Sequence, residues 1–205
     1  VSPHSNKDRQ LSPRRVVVTG LGLVSPVGNT VTEAWDNIVA GRSGITRIDR
    51  FDPSPFPTQI AGLVRDFDVA AYLNPKEARR LGLFIQYGMA VRDSGIEVTD
   101  ANADRIGVNI GSGIGGLPWI EETHSLLHDS GPRKISPFFI AGSIINMTSG
   151  MLSIHYGLRG PNMAVVTACT TGLHAIGMAA RMIEHNDADV MVCGGSEACV
   201  SPLGI

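Results

Sequence analysis

The run Met163-Ala-Val-Val-Thr-Ala-Cys169-Thr-Thr-Gly172-Leu-His-Ala-Ile-Gly177 changes its hydrophobic period part-way, and that change constrains the chain more than any other feature. Met163 to Ala168 is short, apolar and β-branched, the pattern of a buried strand, whereas Leu173, Ile176, Ala180 and Ile183 recur at helical spacing and predict one helix face. Cys169 therefore falls at a turn from strand to helix. The first amides of a helix lack internal partners and carry the positive end of its dipole, which favours a thiolate over a thiol. Such a position suits a nucleophile, and it equally suits the small buried hydrophobe that free cysteines usually are. Cys199, and Cys193 at the end of the strand-like run Asp189-Val-Met-Val-Cys before Gly194-Gly195, read as the second kind.

The other segments supply the layers around this junction. Val1 to Pro13 is polar, proline-interrupted and without an initiator methionine, the character of a disordered leader: a tag remnant, a processing scar or the tail of a targeting segment. Arg15-Val-Val-Val-Thr19 has the pattern of a buried strand, and Thr30-Val-Thr-Glu33 is a capping-box signature opening a helix through Ile38. The Gly20-Leu-Gly22 between them lacks the third glycine of a nucleotide loop, since Ser25 stands there. Prolines 53, 55 and 57 make Gly41 to Asn74 a surface excursion. Pro75 then opens a helix expected to continue to Gly95, with Lys76, Arg79 and Arg80 on roughly one side and Gly82 in its interior.

Ile106 to Ile110 reads as a strand leading into Gly111-Ser-Gly113-Ile114-Gly-Gly116, a complete G-x-G-x-x-G. A dinucleotide fold would follow it with a second strand and an acidic residue roughly 20 positions on. Gly131-Pro-Arg-Lys-Ile-Ser-Pro occupies that region instead, so the oxidoreductase reading is set aside. Gly142 to Tyr156 reads as one buried helix. Alternating strands and helices predict an α/β layer structure, and 205 residues suffice for one large domain. A formal net charge of −2 argues against a general nucleic-acid binder, and three cysteines suggest a reducing compartment rather than a disulfide scaffold. No apolar run reaches membrane-spanning length.

Thr167-Ala-Cys169-Thr-Thr-Gly172 resembles the nucleophile motif of the β-ketoacyl-acyl carrier protein synthases, the condensing enzymes of fatty acid synthesis. The likeness extends in the family's order through Arg14-Arg-Val-Val-Val-Thr-Gly-Leu-Gly, Phe84-Ile-Gln-Tyr-Gly88, Gly111 to Gly116, Lys134-Ile-Ser-Pro-Phe-Phe139 and Gly194-Gly-Ser-Glu197, and Ile114 resembles the elongating type II branch. It implies a thiolase-like fold, layered α-β-α-β-α when complete, of which residues 14–205 resemble the N-terminal half. It implies Cys169 as nucleophile, Ile114 and Phe139 as walls of an acyl pocket, and Lys76, Arg79, Arg80, Arg133 and Lys134 as a docking patch for acyl carrier protein. Without the resemblance, Ile114 and Phe139 read as core packing and the basic residues as a solvated surface.

The reaction implied is a decarboxylative Claisen condensation of a cysteine-bound acyl chain with malonyl-acyl carrier protein, by a homodimer needing no metal or cofactor. The expected compartment is the bacterial cytoplasm or, alternatively, a mitochondrial or plastid matrix. Both catalytic histidines, a lysine and a glycine-rich gate are implied by the C-terminal half, which this sequence does not contain; His174, five residues after Cys169, would be turned about 140° from it on a helix. The helix near Ala90-Val91 is shorter than its family counterpart by more than a turn, and Gly82 stands where the family commonly has aspartate. Two other readings are a non-catalytic fragment or pseudo-synthase that binds carrier protein or dimerises, and a thiolase-type enzyme using coenzyme A thioesters.

Overall fold

A computed structural model describes residues 14–90 and 96–205. The leader expected at 1–13, and the part of the shortened helix from Val91 to Gly95, lie outside the described residues. The first helix, α1 (Val31–Val39), begins where the sequence predicts: Thr30 Oγ1 accepts from the Glu33 amide at 3.2 Å, and the Glu33 carboxylate accepts from the Asn29 amide at 2.8 Å. Gly41 to Asn74 is more structured than a surface excursion. It forms an antiparallel pair, β1 (Ile45–Arg47) and β2 (Ile60–Gly62), buries Ile48, Leu63 and Leu73, and packs Phe67 against Tyr72 and Tyr87 at 5.6 and 5.1 Å between ring centroids. The prolines lie in the connection between these two short strands, where they interrupt no ladder.

The long helix expected from Pro75 is in fact two pieces. The first, α2 (Pro75–Ala78), carries a capping box between Asn74 and Glu77 and stops at Ala78; α3 (Leu83–Gly88) starts afresh behind Gly82. The break is held by polar contacts. Gln86 Nε2 donates to the carbonyls of Ala78 and Leu81 at 2.9 and 2.8 Å, and the Gly82 amide donates to Gly142 O at 2.9 Å. Gly82 is thus a helix cap rather than an interior residue, and a Cβ there would lie 2.5 Å from Gly142 O, which accounts for glycine in this chain.

The remaining chain builds the main layer. In order it runs β3 (Ile106–Gly111), α4 (Leu117–Ser130), α5 (Phe139–Ser143), α6 (Met147–Tyr156), β4 (Asn162–Met163), α7 (Thr171–Glu184) and β5 (Val190–Gly195). The strands form a parallel sheet in the order β4-β3-β5, with Ile106 opposite Val190 and Gly111 opposite Gly195. Every residue of β3 is buried, as befits a central parallel strand covered on both faces, and its one polar residue, Asn109, donates through Nδ2 to Ala175 O of α7 at 3.1 Å. Phe84, Ile85 and Met89 from the α3 segment, Val108 from β3 and Leu152 from α6 make the core. Ser149 ties α6 to the sheet, its Oγ accepting from the Ile110 amide at 2.9 Å and donating to Met163 O at 2.7 Å.

Several expected elements differ. Arg15 to Thr19 forms no strand, and Val17 and Val18 are 61% and 77% exposed; a β-branched apolar run alone makes no strand where the backbone finds no ladder partner among the described residues. The strand expected from Met163 to Ala168 is confined to Asn162–Met163. The single helix expected from Gly142 to Tyr156 is interrupted by extended Ile144, and Ile154 is exposed while Thr148, Ser149 and Leu152 face inward. β5 continues through Gly194 and Gly195 instead of turning at them. The buried face of α7 consists of Thr171, Ala175 and Ala179, not the Leu173, Ile176, Ala180 and Ile183 stripe; Leu173 is 74% exposed. Small residues win the inner face because α7 lies close to β5: a Cβ on Gly195 would lie 3.1 Å from Gly172 Cα.

Candidate active site

Cys169 lies on a turn of 3-10 helix, Ala168–Thr170, that leads directly into α7, and its side chain is exposed. The turn is sharp. Ala168 has φ +52°, a left-handed conformation that costs an L-residue about 1–2 kcal/mol, and Thr171 Oγ1 fastens its entry by accepting from the Thr167 amide at 2.9 Å. The sequence thereby spends backbone strain to lift one thiol out of the sheet edge onto the head of a 14-residue helix. Thr170 places no side chain over the amides of the first turn of α7, so the dipole's positive end faces the turn uncapped by that hydroxyl.

The other thiols are different in kind. Burial pushes the half-buried Cys193 thiol above its ordinary pKa; Cys199 is also raised, by burial first, then by the nearby Glu197 carboxylate and, more weakly, by Cys169. His174 stands on the first turn of α7. Its Nδ1 is 3.3 Å from Thr167 Oγ1, so the ring reaches back to the residue that opens the cysteine turn. Cys169 stands on the 3-10 turn before α7 and His174 on α7 itself.

Glycine loop 111–116 adjoins the same turn. A Cβ on Gly113 would lie 3.0 Å from Glu197 Oε2 and 3.5 Å from Ala168 Cα, and the Ile114 amide donates to Glu197 Oε2 at 2.9 Å. Gly116 donates to Ser143 O at 3.0 Å, joining this loop to α5, whose first residue is Phe139. Ile114 is half exposed and Phe139 partly buried, so neither belongs to the fully buried core expected from packing alone. Among the described residues no group of three or more His, Cys, Asp or Glu is arranged to hold a metal ion.

The five basic residues lie on two segments. Lys76 and Arg79 are exposed, as are Arg133 and Lys134 on the 3-10 turn Pro132–Lys134. Arg80 departs from the shared helix face expected for it, because α2 has already ended: its guanidinium stacks 4.0 Å above the Phe138 ring. That contact and the Gly82–Gly142 hydrogen bond join Arg80 and Gly82 to Phe138 and Gly142, in and beside α5.

The profile of the beta-ketoacyl synthase N-terminal domain matches residues 13–205. The chain belongs to the β-ketoacyl synthase family. Within that family it is 60% identical over 200 residues to 3-oxoacyl-acyl-carrier-protein synthase 2 of Coxiella burnetii and 57% identical over 200 residues to the same enzyme of Vibrio harveyi, in each case covering 95% of this chain and 48% of the relative. It spans about half the length of the curated relatives it matches. A solved structure of a type II PKS acyl-carrier protein in complex with its ketosynthase bound to the hexaketide superposes with a TM-score of 0.74 at 29% identity, over 94% of this chain and 53% of the other. The α/β architecture is accordingly one half of the thiolase-like β-ketoacyl synthase fold. No helix among the described residues is long and apolar enough to cross a membrane.

Proposed function

We propose that the full-length protein carrying this chain is an elongating 3-oxoacyl-acyl-carrier-protein synthase, with residues 14–205 as its N-terminal, nucleophile-bearing half. The observation that carries the reading is the exposed Cys169, raised on the strained Ala168 turn at the head of α7 in a chain of the β-ketoacyl synthase family. The Cys169 thiolate attacks the thioester carbonyl of an acyl-carrier protein; the carrier's C–S bond breaks, its thiol leaves, and the acyl group rests on Cys169. Malonyl-acyl carrier protein then loses carbon dioxide, and the resulting carbanion attacks the Cys169 thioester. The carbon–sulfur bond to Cys169 breaks, the thiolate returns, and the β-ketoacyl chain leaves on the carrier.

The decarboxylation groups are two histidines that the family resemblance assigns to the C-terminal half. The Cys169 amide, aided by one from the glycine-rich gate that the resemblance assigns to the C-terminal half, stabilises the oxyanion of each tetrahedral intermediate. Ile114 and Phe139 wall the acyl pocket, and Lys76, Arg79, Arg80, Arg133 and Lys134 receive the acidic carrier. The relatives' bacterial origin and the carrier-bound neighbour support a cytoplasmic enzyme acting on carrier-linked substrates; the homodimer is what the family resemblance implies. The test supplies the full-length protein with acyl- and malonyl-carrier. Carbon dioxide and a β-ketoacyl product longer by the malonyl-derived carbons are expected, and Cys169→Ala is expected to yield no condensation product. Equal product from that variant would overturn the assignment.

A further inference from the structure

The carboxylate of Glu197, just beyond β5, finds its partner far away in sequence: Oε2 accepts from the Ile114 amide at 2.9 Å, across 83 residues. The loop it holds is rich in glycine and offers few side chains by which anything else could fix it. Gly115 sits at φ +77°, its amide donating to Ser112 Oγ at 3.1 Å, and the Gly116 amide donates to Ser143 O at 3.0 Å. Those bonds secure the loop's C-terminal side, and Glu197 secures Ile114 itself. A Cβ on Gly113 would lie 3.0 Å from this carboxylate and 3.5 Å from Ala168 Cα, so the carboxylate, the loop and the cysteine turn converge.

Two physical points make this bond more than local packing. An ionised acceptor forms roughly twice as strong a hydrogen bond as a neutral one, and none of the ion pairs among the described residues engages Glu197. Glu197 is also exposed, so water competes for it and the bond is releasable; the glycines on either side of Ile114 then let the loop take other backbone angles. We propose that Glu197 is a positioning residue that latches the Gly113–Ile114 loop beside the Cys169 turn, and thereby sets which acyl chain lengths Cys169 accepts. This rests on the synthase reading and adds the group that fixes its selectivity.

The experiment measures acyl transfer to Cys169 of the full-length protein from short and long acyl-carriers, and amide hydrogen exchange at Ile114. Glu197→Ala should move the long-to-short ratio about tenfold toward that of Ile114→Ala, and speed exchange at Ile114 by a similar factor, the order expected for one lost charge-assisted hydrogen bond. Glu197→Gln keeps an acceptor oxygen and should stay within about threefold of the parent on both readouts. Adding Glu197→Ala to Ile114→Ala should leave the ratio where Ile114→Ala alone puts it. An unchanged ratio and unchanged exchange in Glu197→Ala, with Cys169 still acylated, would overturn the latch. No acylation of the parent protein at any chain length would instead sink the synthase reading, and Ile114 exchange would still decide whether the latch exists.

Discussion

At the scale of residues, three thiols of one chain are separated by their surroundings. Cys193 and Cys199 are half-buried with raised pKa values, so at a given pH a smaller fraction of each is thiolate than in water; Cys169 is exposed. Iodoacetamide should therefore label Cys169 first, with Cys193 and Cys199 following only as the pH is raised or the protein unfolded. Comparable labelling of all three at neutral pH, followed by peptide mass, would contradict that ordering. Much of this site was legible beforehand: Thr167 to Gly172 marked the junction, and Cys169 does stand at its turn. The bond from the Ile114 amide to Glu197 was not legible, because a loop amide and a carboxylate far along the chain leave no shared pattern in sequence. Nor was the His174–Thr167 contact, which depends on the 3-10 geometry before α7.

Among elements, what the sequence marks well is an end with its own chemistry. Thr30 with Glu33 and Pro75 announced helix starts, whereas nothing local announced that α2 would stop at Ala78; α4 has no side-chain cap, and its one start signal is Pro118 in its first turn. The inner face of α7 was misread for a related reason: apolar periodicity shows a stripe but not whether size or hydrophobicity decides the contact, and close approach to β5 selected alanine and threonine. The proposed docking patch draws on the same short elements, one of them joined to α5 through Arg80 on Phe138 and Gly82 on Gly142. Reversing charge at Arg133 and Lys134 should raise the KM for carrier-linked acyl substrate about tenfold while leaving a short acyl-pantetheine nearly unaffected, because only the carrier meets those charges. Equal effects on both substrates would remove the patch from the docking account.

For the whole molecule, a polar cluster joins segments that are distant in sequence. Asp189, entering β5, receives Arg105 from the start of β3 at 2.9 Å and Arg14 at 2.8 Å. The Arg105 hydrogen bonds, then those of Arg14, hold its carboxyl down at about 2 against an ordinary 3.8. Since the folded value lies below the unfolded one, the stabilisation is complete above 3.8 and is lost as pH falls through about 2. The difference in midpoint temperature between the parent and Asp189→Asn, present at neutral pH, should close between about pH 4 and pH 2. A difference that persists at the acid end would show that the carboxylate's charge is not what the arginines stabilise.

The nucleophile's identity is tested most directly by locating the acyl group. The full-length protein, incubated with an acyl-carrier and no malonyl donor, should gain the mass of one acyl chain, confined to the peptide holding Cys169, and Cys169→Ala should gain none. An acyl group found on Cys193, on Cys199 or elsewhere, or equal acylation of the Cys169→Ala protein, would contradict the account.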